Sequence, residues 1–171
     1  MIYEQEYIEN LLSCEKEVIE QPAKDFKEDR GHMKKNFTLR SLDGSYMFRA
    51  FIRYNVKFPE NFSIGLDYNP KEEKGTICLF RCNGTHGENK QIPHHESFHL
   101  HVATAESINS GLKPESNADI TDDYASIDGA IQYFIKTINL KQEDRNNFFP
   151  EKQERLYEWY ERHIGEYKNQ F

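Results

Sequence analysis

Cysteine is scarce in this chain, and its three copies, Cys14, Cys78 and Cys82, form no C-x-x-C pair. An odd, widely spaced set speaks against the disulfide framework of small secreted domains. Long apolar runs are missing too. No stretch approaches the roughly 18 residues of a membrane span, and Met1-Ile2-Tyr3-Glu4 lacks the basic, then apolar, start of a signal peptide. No G-x-S-x-G elbow, P-loop or dinucleotide fingerprint occurs, which sets aside serine-type hydrolases, P-loop nucleotide hydrolases and nicotinamide enzymes. These absences predict a cytoplasmic protein without membrane partners, whose thiols are reduced and partly buried.

Aromatic side chains make up for a modest apolar content. The hydrophobic fraction is 37%, but 12 Phe and 10 Tyr supply large buried surfaces at few positions, enough for one core in a single domain spanning 1–171. The net charge of −7 is unevenly spread. Residues 1–22 carry one Lys against six Glu, whereas residues 23–57 carry nine Lys or Arg against four acids. A basic band on an acidic body permits a local phosphate contact, although a plain solvated face is its first explanation.

Residues 3–20 read as an amphipathic helix, with Tyr7, Ile8, Leu11, Leu12, Val18 and Ile19 at helical spacing before Pro22. Ala23 to Lys35, broken by Gly31, reads as a connector. From Asn36 the period changes to two. Strands are expected at 37–42, 46–54, 62–68, 76–82 and 97–103, with Asp43-Gly44 as a hairpin turn. Cys78 and Cys82, four apart, should share one face. After an irregular stretch, Ser126 caps an expected helix at 126–139, and Pro150 opens another at 151–167. The fold class is therefore α+β: an antiparallel meander of about five strands, residues 36–103, packed against helices on one face.

Five of the seven histidines, His86, His94, His95, His99 and His101, fall between Asn83 and His101. Phe98, Leu100 and Val102 alternate with His99 and His101, so the apolar set should join the core and both histidines should face away from it. Three chemistries fit such a cluster. In the first, His99 and His101 act as an acid–base pair on a phosphodiester, with His86 and His94 assisting and no cofactor. Arg40, Arg49 and Arg53 occupy the less apolar parity and Arg81 leads into the histidine loop; Arg49, Arg53 and Arg81, with Asn83, would hold the substrate. In the second, His99, His101 and His86 hold zinc, as an H-x-H strand pair can with one further ligand. In the third the face is polar and carries out no reaction, so the protein is a binding module. A thiol nucleophile at Cys82 is a weaker variant, since no orienting third group is visible.

Phe58-Pro59-Glu60-Asn61-Phe62-Ser63-Ile64-Gly65-Leu66, Arg81-Cys82-Asn83-Gly84-Thr85-His86-Gly87 and His94 to His101 resemble a family of uncharacterised bacterial and phage-borne proteins. The likeness covers about 30–140. More distantly, Phe80-Arg81 followed by Ile92-Pro93-His94-His95 is similar to TumE-type toxins of toxin–antitoxin loci. Those toxins carry Arg-Trp-Asp and then Phe-Pro-x-His-x-His, whereas here Cys82 stands at the Trp position and further residues separate His95 from His99. The resemblance implies a toxin-like or mobile-element protein, a ribonuclease if an enzyme, with RNA and a cognate antitoxin or other protein as partners. The alternatives are a non-catalytic regulator or inhibitor module and a metal-dependent hydrolase.

Overall fold

The computed structural model describes residues 2–71, 75–86, 93–111 and 118–151. The expected helix at 151–167 falls outside the described residues apart from Glu151. The architecture is α+β, with an antiparallel sheet of eight strands rather than five. Its elements are α1 (Gln5–Ser13), β1 (Lys16–Glu20), β2 (Lys27–Asp29), β3 (His32–Ser41), β4 (Met47–Asn55), β5 (Phe62–Tyr68), β6 (Ile77–Asn83), β7 (His99–Val102), α2 (Ala105–Asn109), β8 (Asp119–Ile120), α3 (Ile127–Thr137) and α4 (Gln142–Phe148). From β3 to β8 each strand pairs with the next, and β1 and β2 share the outer edge of β3. No helix among the described residues is long and apolar enough to cross a membrane.

The three added strands are all polar or very short. β2 is exposed at every position and turns into β3 through Arg30 and Gly31, both at positive φ (51° and 78°). That is a hairpin turn with two left-handed residues. Its sequence has the look of a connector because a ribbon wet on both sides shows no apolar alternation. β8 pairs only His99 and Leu100. α2 was hidden in the polar stretch after Thr104, where the Thr104 hydroxyl accepts from Ser107 N and the Ser107 hydroxyl accepts from Thr104 N, each at 3.1 Å.

β1 takes residues that the helical pattern assigned to the first helix. Lys16 decides this. Its main chain pairs with Ser41 and bridges to Leu140, and its side chain is wholly buried. The ammonium donates to the carbonyls of Leu12 (2.9 Å), Cys14 (2.7 Å) and Ile138 (2.9 Å), and lies 5.0 Å from the Phe48 ring centroid. The carbonyls come from the C-terminal ends of α1 and α3, where helices leave acceptors without partners. Burial lowers the Lys16 pKa to about 8, against the opposing influence of Cys14.

One face of the sheet holds the core. Phe48, Ala50 and Ile52 of β4, Phe62, Ile64 and Leu66 of β5 and Phe80 and Cys82 of β6 are buried there. Ile8 and Leu11 of α1 and Ala130, Phe134 and Ile135 of α3 complete the cluster. Phe134 stacks on Phe80 at 6.1 Å, and Tyr7 bonds Tyr68 through their hydroxyls at 2.9 Å, so α1 and α3 cover the same face. The Ser126 hydroxyl caps α3 by accepting from Gly129 N. A bulge at Leu79 breaks the β5–β6 register: Leu66 pairs with Phe80, but Asp67 pairs with Cys78. Cys78 therefore lies on the face opposite Cys82, against the expectation from their spacing, because the extra residue inverts the parity.

The buried ammonium has a measurable signature. Its folded pKa lies below the unfolded value of 10.5, so the unfolded chain binds more protons between the two. The burial penalty is fully present below about 8 and is relieved as pH rises. Urea unfolding should show the wild type gaining about 1 kcal/mol over Lys16→Met between pH 8 and 9. Parallel stability curves would mean that the ammonium is not buried in solution.

Candidate functional site

The face of the sheet opposite the core is organised in transverse rows. Antiparallel pairing aligns Lys34, Arg53, Ser63, Asn83 and His99 across β3 to β7. The next row is Asn36, Phe51, Gly65, Arg81 and His101. Beyond it come Thr38, Arg49, Asp67 and Cys78. Neighbouring strands are about 4.8 Å apart and same-face rows about 6.5–7 Å apart. Arg81 is thus the direct cross-strand neighbour of His101, and Asn83 of His99. Arg53 stands three strands from His99, roughly 14 Å between backbones, so the two belong to one face but do not touch. Arg49 sits two rows beyond that of His99, exposed, and Arg40 at the far end pairs with Glu17 at 2.5 Å.

His99 and His101 occupy the face predicted from parity, but burial runs opposite to expectation. His99 is fully buried and His101 is 5% exposed, while Leu100 is half-buried and Val102 is 37% exposed. The cover comes partly from the segment leading into β7. His86 and His95 pack on His99 with ring centroids 5.4 and 5.8 Å away, lie 5.0 Å from each other, and His101 lies 5.0 Å from His99. Four imidazoles are therefore contiguous. His95, undirected in the sequence, is brought into the cluster by the 3-10 turn Pro93–Glu96, whose His95 carbonyl accepts from His86 N at 2.8 Å. His94 lies on the same turn, and its side chain is outside the described atoms. Gly87 to Ile92 are outside the described residues.

Hydrogen bonds orient the rings. His99 Nδ1 lies 2.8 Å from the Ser97 carbonyl, so it carries the proton and donates. Nε2 then accepts from Asn83 Nδ2 at 3.2 Å, which fixes a neutral imidazole. Asn83 Oδ1 is left buried, with no hydrogen-bond partner among the described residues. His86 Nδ1 meets Asn61 Oδ1 at 3.1 Å. Beneath the pair, the Tyr124 hydroxyl donates to the carbonyls of Asn83 (3.1 Å) and His99 (2.9 Å), capping the end of the β6–β7 ladder. Gly84 admits the β4–β5 turn: a Cβ there would fall 1.8 Å from the Glu60 carbonyl oxygen.

The zinc site anticipated on His86, His99 and His101 is not assembled. Among the described residues no three His, Cys, Asp or Glu side chains are placed to hold a metal ion, and both His99 nitrogens are already bonded within the fold. The thiol nucleophile at Cys82 also fails. Cys82 is buried in the core on the other face, and burial raises its pKa.

Two depressions flank Arg53. One, about 310 Å³, is lined by His32, Lys34, Arg53, Asn61 and Ser63, with Tyr54 and Phe62 at its edge. Asn61 joins it to His86. The other lies between Arg53 and Arg81. Arg53 stacks on Phe51 at 4.8 Å and has no acidic partner within ion-pair distance among the described residues, whereas Lys34 is paired with Asp29. Lys34, Asn61, Ser63, Asp67 and Tyr124 were not singled out from the sequence. The hairpin turns would have revealed the first three, since Asp43-Gly44 lies midway between Lys34 and Arg53, and Phe58 midway between Arg53 and Ser63, with Asn61 next on that face.

Compared with family models, with curated proteins and with solved structures, the chain matches none.

Gly84→Ala should destabilise the protein by about 3 kcal/mol, because the clash is with main chain that cannot rotate away. Urea unfolding measures the loss. NMR of the His86 ring should show its bond to Asn61 broken, and an unchanged stability would contradict the close approach.

Proposed function

We propose that the face opposite the core binds single-stranded RNA and cleaves it by acid–base chemistry at the imidazole cluster. The observation that supports this is the row register, which puts Lys34, Arg53 and Asn83 on the same face as Arg81 and four contiguous histidines. His99, neutral and bonded at both nitrogens, acts as a positioning residue rather than as one of the acid–base pair expected with His101. The acid–base roles pass to His86 and His95, which are half-buried at the rim and reach a bound strand. One imidazole takes the proton of a 2′-hydroxyl as it attacks the neighbouring phosphorus. The other, protonated, gives its proton to the departing 5′-oxygen. Arg81 and Arg53 carry the charge that builds on the phosphoryl oxygens. The likeness to TumE-type toxins points in the same direction, with a cognate antitoxin as the protein partner.

A second reading, a binding module without chemistry, draws on Val56 and Phe58, which are 46% and 65% exposed on the turn beside Asn61. The variants below separate the two.

In a fluorophore-quencher RNA assay, His86→Ala/His95→Ala should lower kcat by about 10²–10⁴, with a bell-shaped pH profile in the wild type. Arg53→Ala should raise KM with a smaller effect on kcat. All-DNA substrate should remain intact, because it lacks the attacking hydroxyl. Cleavage by the double variant at the wild-type rate would remove the acid–base assignment, and a wild type inactive on every RNA would favour the binding module.

A further inference from the structure

The depression between Arg53 and Arg81 has a composition of its own. It is an open depression of about 420 Å³, lined by Phe51, Arg53, Asp67, Thr76, Cys78 and Arg81, with Ile108 of α2 also in its wall. Gly65 shapes its floor. A Cβ at Gly65 would sit 2.4 Å from Phe51 Cζ, so only glycine lets the Phe51 ring lie flat across the neighbouring strand. The Arg53 and Arg81 guanidinium carbons then lie 4.8 and 5.7 Å from the centroid of that ring. Asp67 is one row away, paired across the ladder with Arg49 and Cys78. It forms no ion pair within 4 Å among the described residues. Burial pushes the Cys78 thiol up to about 11, so the thiol stays protonated and hydrogen-bonded to Asp67, which is the one anionic side chain among the described residues of the lining.

We propose that this cavity is a nucleotide subsite selective for guanine, an inference that rests on the RNA reading above and specifies its substrate. A ligand suited to these walls brings negative charge for two guanidiniums and a flat ring to lie against their planes. It also brings adjacent N–H donors for a carboxylate. Guanine presents N1–H and the 2-amino group side by side, matching both oxygens of Asp67. Adenine and cytosine offer one amino group next to a ring acceptor, which the carboxylate repels. Uracil offers a single N–H between two carbonyls. The phosphate reaches Arg53 and Arg81, whose stacking on Phe51 holds their planes in place. Arg81, shared by this depression and the row of His101, links the subsite to the face that carries the imidazoles.

Isothermal titration of the full chain with 5′-GMP, 5′-IMP and 5′-AMP tests this. 5′-GMP should bind at least tenfold more tightly than 5′-AMP, with 5′-IMP, which keeps N1–H but lacks the 2-amino group, in between. Asp67→Asn should level the three, and Ile108→Trp, which fills the cavity from α2, should abolish binding without touching the carboxylate. Thermal unfolding of each variant checks that it is folded. Equal binding of the three nucleotides by wild type, no binding of any, or a guanine preference that survives Asp67→Asn would each overturn the subsite. The His86→Ala/His95→Ala protein keeps the two readings apart. Guanine selectivity in a protein that does not cleave upholds the subsite, whereas cleavage at all bases alike removes the subsite and leaves the cleavage reading in place.

Discussion

Three main-chain carbonyls close on the Lys16 ammonium, and the core side of the protein is arranged around that contact. Two belong to the end of α1 and one to the end of α3, elements separated by most of the chain. Each helix end would otherwise present unbonded acceptors to an apolar interior, which costs more than the net worth of a hydrogen bond. The lysine answers both needs and, through its main chain, ties β1 to β3 and to Leu140. The ammonium loses much of its hydration there, as its lowered pKa shows. A charge so placed gives specificity more than stability: an alternative packing of α1 would leave it buried without acceptors.

With α1 and α3 fixed on one face, the opposite face takes its cations from register and His86 and His95 from the segments that fold against it. The ladder from β3 to β7, its bulge at Leu79 included, converts residues scattered over nearly seventy positions of sequence into adjacent rows. The cations spread over the sheet, and the imidazoles gather at one corner. His99 is the centre of that corner, in ring contact with three other histidines. Its neutral ring follows from two bonds, one to the Ser97 carbonyl and one from Asn83. A cationic imidazole there would have to donate to the amide nitrogen that now donates to it.

Much of this was legible in the sequence, and what was hidden has physical causes. The aromatic and β-branched alternation of 46–54 and 62–68 marks half-buried strands, and the Ser126 cap with its apolar spacing marks α3. Parity put His99 and His101 on the correct face. It failed on burial, because the cover over His99 comes from His86 and His95, and a contact between a loop and a strand leaves no periodic trace. Val18 and Ile19 continue the helical spacing of the first helix, and only the tertiary bonds of Lys16 place them in a strand. The Leu79 bulge is likewise invisible, since one extra residue in a run of apolar side chains alters no pattern while reversing the face of Cys78.

Tyr124 packs against Phe62, Phe98 and Tyr133, on the core side, yet its hydroxyl ends on the carbonyls of Asn83 and His99. The sheet is therefore not an insulating wall between its two faces. The segment that leads into α3 grips the backbone from which the central imidazole hangs, as a tuning peg holds a string from behind the board. A substitution in the core beneath Tyr133 would change the tension on His99 without touching a residue of the polar face. The effect would be mechanical, transmitted through one phenol, with the imidazole corner itself still intact.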